Sequence, residues 1–255
     1  SNHNQDIKRT LKIIDSAKKD GFNAVKFQLF KINELFSNEI LQNSKEHRKR
    51  EKWELPIKFI PIISKHCKLK DIKFGCTPFY LKAVDYLKQY VDFFKISSYE
   101  ILWKDLLVKC AKTRKPVIIS TGMATLKEVN QAVKILKKTG NKKITIMHCV
   151  SAYPAKYLDA NLSIIGELKK RYKINIGWSD HTVNQNVINR AIHKWGAKDI
   201  ELHYDLDKRG FEYKKDGHCW LPKQASDLIK NVNEGLLADG KNLKKPTKSE
   251  LKDRL

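Results

Sequence analysis

No stretch of this sequence approaches the roughly 20 consecutive apolar residues that a membrane-crossing helix needs, and no basic-then-apolar leader opens it. A soluble protein, with no membrane partner, is expected. Cysteine is present but unorganised. Cys67, Cys76, Cys110, Cys149 and Cys219 are odd in number, scattered and without CxxC spacing, so neither a disulfide framework nor a zinc knuckle is indicated and a reducing cytoplasm fits. The absence of a GxGxxG turn argues against dinucleotide binding. Acidic residues are scarce, 28 Asp+Glu against 51 Lys+Arg, for a formal net charge of +23. Such a surplus raises a polyanion-binding reading. Against nucleic acid as a partner, the lysines are spread along the whole chain, many within amphipathic stretches such as 7–19 and 126–138, and no nucleic-acid motif accompanies them.

What is present is a repeated alternation. The 255 residues, 41% of them hydrophobic, suit one large core. Short β-rich apolar runs at 24–30, 73–77, 93–97, 117–121, 144–150, 174–179 and 200–206 read as strands. Stretches of helical period separate them: one ending before Gly21, then 57–67, 81–89, 103–113, 126–138, 162–171 and 186–195, with a last helix at 223–236. This is the pattern of parallel strands joined by crossover helices, which periodicity alone assigns equally to an open doubly wound sheet or a closed barrel. Polar and ionisable residues cluster where nearly every strand ends: Lys26 and Gln28, Thr77, Lys95 and Ser98, Ser120, His148 and Ser151, Ser179 to His181, Glu201 and His203. A barrel gathers its site from all its strand ends, whereas an open sheet concentrates it at one switch point. The expectation is therefore an α/β (β/α)8 TIM barrel over 1–240. Seven strands are found where eight are needed, and a helix starts almost at once after Asn4, so the barrel is expected to lack its first strand in this chain. A seven-stranded barrel is the competing reading. The charged stretch 241–255 reads as a linker.

Two constellations carry chemistry. His181 and His203 end consecutive strands, and two imidazoles with a carboxylate suit Mn²⁺, Fe²⁺, Co²⁺ or Zn²⁺. Glu201 alternates with His203 on one strand and so faces the same side, where it can orient a ligand or accept a proton. Lys26 and Lys95, with Ser98, Ser120 and Ser151, supply cations and hydroxyls for a phosphate. The plainer alternatives are histidines that are simply hydrogen-bonded and lysines paired with Glu100 or Glu201 for structure.

Asn2-His3-Asn4, Ala24-Val25-Lys26-Phe27-Gln28, Lys95-Ile96-Ser97-Ser98-Tyr99-Glu100, Ser120-Thr121-Gly122-Met123, Tyr153-Pro154 and Gly177-Trp178-Ser179-Asp180-His181-Thr182 resemble the N-acetylneuraminate (sialic acid) synthases, which include pseudaminic and legionaminic acid synthases. The resemblance covers nearly the whole chain, and Lys245-Pro246-Thr247 is similar to the connector after the family's barrel. It implies a condensation of phosphoenolpyruvate with an N-acetylated amino sugar and a divalent metal cofactor, Mn²⁺ first, Mg²⁺ or Co²⁺ otherwise. It implies that His181 and His203 bind the metal. Lys26, Thr77, Lys95, Ser98, Ser120, Ser151, Tyr153 and Ser179 would surround phosphoenolpyruvate, and Gln28, Glu100 and Asp216 would face the sugar. Where the family can carry a catalytic glutamate this chain has Asn4, leaving Glu201 as the substitute acid or base; Lys26 and Glu100 complete the catalytic candidates. Ser151 stands where many relatives have Asn, and Asp216-Gly217-His218-Cys219-Trp220 replaces the family's Gly-Pro-Asp-His stretch. An antifreeze-like (SAF) domain that follows the barrel, and a homodimer in the full-length protein, are also implied. Two other functions stay open at this stage: a Schiff-base aldolase using Lys95, and a non-enzymatic polyanion binder.

Overall fold

The computed structural model describes residues 1–240 and 243–254. Seven strands, β1 (Ala24–Leu29), β2 (Lys73–Pro78), β3 (Phe93–Ile96), β4 (Val117–Ser120), β5 (Ile144–Cys149), β6 (Asn175–Asp180) and β7 (Ile200–Leu202), form one parallel sheet in sequence order. The helices are α1 (Ile7–Asp20), three short ones in the β1–β2 connection, α2 (Ile32–Leu35), α3 (Asn38–Asn43) and α4 (Lys45–Lys49), then α5 (Phe59–Leu69), α6 (Leu81–Leu87), α7 (Lys104–Lys112), α8 (Leu126–Lys138), α9 (Ser163–Tyr172), α10 (Gln185–Asn189), α11 (Phe211–Asp216) and α12 (Pro222–Ala238). None of the described helices is long and apolar enough to cross a membrane.

Local chemistry sets the boundaries. Asp6 caps α1 by accepting from Lys8 N, and Gly21 ends it in the left-handed region at φ 100°. Thr125 and Glu128 form a capping box at the start of α8. In β1, Val25, Phe27 and Leu29 are buried while Lys26 and Gln28 alternate to the other face. The sheet curls far enough that the Lys26 ammonium on β1 lies 3.6 Å from Glu201 Oε1 on β7. Helix α1 packs on α12, and Tyr204, just past β7, donates to Asp20 at 2.5 Å and stacks edge-on against Phe22. Among the described residues no strand pairs along the outer edge of β1 or β7; a single parallel bridge, Tyr204 with Trp220, follows β7. A cavity of about 1460 Å³ runs inside the curl, from Lys26, Gln28, Glu201 and His203 at one end to Lys73 and Lys143 at the other.

The strands fall within a residue or two of the sequence expectation except the last. It stops at Leu202 rather than 206, because Trp220 N donates to His203 O and Asp205 N to Trp220 O, turning the chain into a bridge. Four helices were not anticipated, α2, α3, α4 and α11; each is six residues or shorter, too short for a periodic apolar face. Of the expected linker, Glu250–Lys252 forms a 3-10 turn, while 241, 242 and 255 lie outside the described residues.

Candidate functional site

The C-terminal ends of the strands bring a charged triad together. Glu201 Oε1 lies 3.6 Å from Lys26 Nζ and 3.5 Å from Lys95 Nζ, and accepts from Ser179 Oγ at 3.2 Å. Burial pushes the Glu201 carboxyl up, but Lys26, Lys95, His203 and His181 together outweigh it and hold it down at about 2. Lys95 is 3% exposed; burial lowers its ammonium below the ordinary lysine value, with Glu201 offsetting part of that. Two ammoniums share one carboxylate, so the triad keeps an uncompensated positive charge directed at the mouth.

Hydroxyls surround it. Ser98 and Ser151 are hydrogen-bonded to each other at 2.9 Å. Both press on Gly122, where a Cβ would come within 2.4 Å of Ser98 Cβ and 2.5 Å of Ser151 Oγ, and where φ is +47°. Only glycine satisfies both constraints. Thr77 Oγ1, Ser120 Oγ and Glu100 Oε2 are buried without a hydrogen-bond partner among the described residues. A buried polar group left unpaired costs roughly 1–3 kcal/mol. The Thr77 and Ser120 hydroxyls beside a net-positive triad suit an anionic, hydrogen-bonding ligand, whereas the Glu100 oxygen suits a hydroxyl donor. Burial raises the Glu100 carboxyl.

The histidines lie on the other side of the mouth. The His181 and His203 rings are 5.1 Å apart, and Tyr153, its phenol pushed up by burial, packs 4.4 Å from His181 and 4.9 Å from His218. Burial and the neighbouring His203 hold the His181 imidazole down at about 3, so it is neutral and able to ligate. Its Nδ1 is 2.6 Å from Val150 O, an acceptor only, so Nδ1 carries the proton and Nε2 presents its lone pair. That donor chemistry fits a borderline divalent cation.

Two residues that the sequence reading did not single out join this cluster. Glu212 on α11 contacts His203 Nδ1, and its Oε1 also lies 3.2 Å from His218 Nε2; ligand atoms of His203, Glu212 and His218 all fall within 4.8 Å of one another. Burial raises the Glu212 carboxyl, but His203 and His218 prevail and hold it well below the carboxylate range. The signal that could have found the pair is the run Glu212 to His218 following a barrel strand; Asp216 was chosen from that run instead. Asp216 ends α11 and pairs with Lys215 at 3.7 Å. Asn4 turns its amide to backbone, accepting from Phe211 N and donating to Arg209 O, both at 2.9 Å. Gln28 lines the cavity next to Lys26.

A family model described as the NeuB family matches residues 13–244. The N,N'-diacetyllegionaminic acid synthase of Campylobacter jejuni is 34% identical over 267 residues, covering 99% of this chain and 79% of that protein. The pseudaminic acid synthase of Helicobacter pylori is 31% identical over 219 residues, covering 82% of this chain and 64% of its own length. Among solved structures, the N-acetylneuraminic acid (sialic acid) synthetase of Leptospira borgpetersenii, in complex with citrate, superposes with a TM-score of 0.87 at 31% identity, over 99% of this chain and 86% of that one.

Proposed function

The chain belongs to the NeuB family, and on that premise we propose that it is a nonulosonic acid synthase, condensing phosphoenolpyruvate with N-acetylmannosamine or a related N-acetylated amino sugar. Carbon 3 of the enol attacks the open-chain aldehyde, water adds at carbon 2, and phosphate leaves by cleavage of its C–O bond. The observation that carries this reading is the Lys26–Glu201–Lys95 triad, with contacts of 3.6 and 3.5 Å, set between unpartnered hydroxyls and a histidine cluster.

In this reading Lys26 and Lys95 neutralise the phosphate and carboxylate of phosphoenolpyruvate, and Thr77, Ser98, Ser120, Ser151, Tyr153 and Ser179 supply hydroxyls around it. Gln28, Glu100 and Asp216 meet the sugar. Glu201 moves the proton. A carboxylate held at about 2 is a poor base. A bound dianion draws the two ammoniums onto itself, removes the contacts that hold the carboxyl down, and so raises its proton affinity when substrate is in place. Asn4, an amide, holds backbone and leaves this role to Glu201. A divalent cation held by His181 and His203, Mn²⁺ first and Mg²⁺ or Co²⁺ otherwise, supplies Lewis-acid polarisation of the sugar aldehyde.

Phosphate release from phosphoenolpyruvate, measured on the complete protein with N-acetylmannosamine and with di-N-acetylated amino sugars, with and without Mn²⁺, tests the proposal. Release that requires both sugar and metal is expected; none with any N-acetylated sugar overturns it. A second reading, a Schiff-base aldolase, draws on the burial of Lys95 and its lowered proton affinity. Borohydride trapping on Lys95, with activity surviving chelation, would establish it.

The same proposal includes an eighth strand between β7 and β1, where the cavity is walled by Ala24 to Gln28 and Ile200 to Tyr204. It also includes a barrel domain over 1–240, a linker over 241–255 leading to an antifreeze-like domain, a homodimer in the full-length protein, and a cytoplasmic setting suited to five free buried cysteines.

A further inference from the structure

Both metal-facing imidazoles are locked by a bond to Nδ1, but by different devices. His181 is held by the Val150 carbonyl, one residue past the β5–β6 register that ends at Cys149 with Ser179. Among the described residues no carbonyl meets His203 Nδ1; it meets instead the carboxylate of Glu212, which comes from α11, outside the sheet. An acceptor-only carboxylate on Nδ1 fixes the ring as the Nδ1–H tautomer and turns the Nε2 lone pair outward, matching His181.

Helix α11 spans six residues and has no buried position of its own, so packing cannot place Glu212. The amino-terminal segment does. Asn2 Oδ1 accepts from Glu212 N at 3.0 Å and Tyr213 N at 3.1 Å, and Asn4 Oδ1 accepts from Phe211 N at 2.9 Å, so the first turn of α11 hangs on two asparagines. A Cβ on Gly210 would sit 2.1 Å from Asn2 Oδ1, so the approach requires glycine there. Gly210 N donates to Asp205 Oδ2 at 3.0 Å, and Arg9 binds Asp205 at 2.5 Å and Asp207 at 2.8 Å while donating to Asn2 O at 2.6 Å, tying the clamp to α1. Asn2 is buried and makes a further bond to Tyr204 O at 2.9 Å.

We propose that Glu212 is a positioning residue that sets the metal-binding face of His203, and that Asn2 and Asn4 act on the site through α11 by holding Glu212 in place. This deepens the synthase reading and rests on it for the metal. His218 shares Glu212 Oε1 at 3.2 Å and acts as a second donor to the carboxylate, not as a ligand.

The test uses the full-length protein, first without metal. Long-range ¹⁵N–¹H spectra of the imidazoles are expected to show His181 and His203 as Nδ1–H tautomers in the wild type, and His203 to lose that preference in Glu212→Ala while His181 keeps it. Calorimetric titration with Mn²⁺ and Co²⁺ should show about 10–100-fold weaker binding for Glu212→Ala, the usual cost of losing a partner of a ligating histidine. A smaller loss of the same kind is expected for Asn4→Ala, and the double variant should bind no more weakly than Glu212→Ala alone. His218→Ala should bind within about threefold of wild type, since it removes no ligand. Circular dichroism keeps misfolding separate. An unchanged His203 tautomer in a folded Glu212→Ala overturns the inference. So does a Co²⁺ affinity lost in His218→Ala but kept in His181→Ala, which would make His203, Glu212 and His218 the direct ligands. If the wild type binds no metal, the synthase reading fails, while the metal-free spectra still decide the role of Glu212.

Discussion

The two halves of the barrel mouth are built by different means. The anion half, Lys26, Lys95, Glu201 and the serines around Gly122, is carried on or just past strands whose register fixes each side chain. The histidine half takes His181 and His203 from one residue past the ends of β6 and β7, but Glu212 and His218 lie well beyond the sheet, with Glu212 held by asparagine caps rather than by the ladder. Sheet-borne residues are positioned by cooperative backbone pairing. Loop-borne ones depend on a handful of side-chain bonds, each worth about 1 kcal/mol. The second half is therefore the one that single substitutions away from the site can disable.

The largest effect should come from separating the halves. Lys95→Met is expected to lower kcat/KM by about 100-fold or more, through phosphoenolpyruvate, while leaving Mn²⁺ binding intact. His203→Ala should abolish measurable metal binding while phosphate still binds. Calorimetry with Mn²⁺ and with inorganic phosphate on both variants checks this; if each variant loses both ligands, the halves are one unit. Next in size is Asp180→Ala. Asp180 is fully buried and accepts from Trp178 Nε1 at 3.2 Å, Thr182 Oγ1 at 2.6 Å, Val183 N at 3.0 Å and Trp220 Nε1 at 3.1 Å, stapling the loop after His218 to β6. Removing it leaves buried donors unpaired and should cost about 3 kcal/mol, read as a lower denaturant midpoint. A smaller, local effect is expected in the anion half. Gly122→Ala should push Ser98 and Ser151 apart and raise KM for phosphoenolpyruvate about tenfold, at a stability cost of about 1 kcal/mol, with metal affinity unchanged.

The same contrast governs what the sequence revealed. Lys26, Lys95, Ser120, Ser179, Glu201 and His181 were legible because alternation and strand length decide where they sit, and the structure brings them to one mouth. Glu212 and His218 were not, because α11 has no apolar period and its position depends on Asn2 and Asn4, some 210 residues away in sequence. Asn4 itself was read for its chemistry, whereas its amide serves backbone. The short helices of the β1–β2 connection escaped for the same reason: Ser37 and Ser44 cap two of them, and none has a buried residue.

A control on the opposite face of the sheet, where His148 shares its register with Trp178, gives the smallest effect. His148 on β5 is buried, with Nε2 2.9 Å from Ala160 O and its ring 5.3 Å from Trp178, and burial holds its imidazole below the ordinary value of 6.5. As pH falls past about 6.5 the unfolded chain takes up a proton there that the folded chain refuses, so stability is level above that pH and declines below it. His181 and His3, both held down at about 3 mainly by burial, add slopes of the same sign down to about that pH. Each such group contributes at most about 1.4 kcal/mol per pH unit. His148→Gln keeps a donor for Ala160 O and removes the titration. Denaturant melts at pH 7.0 and 5.5 should therefore show a smaller acid loss in the variant than in the wild type, with the remainder left to His181 and His3. An identical loss in both proteins would mean that His148 takes up its proton in the fold as readily as in the unfolded chain, and that its burial does not hold it down.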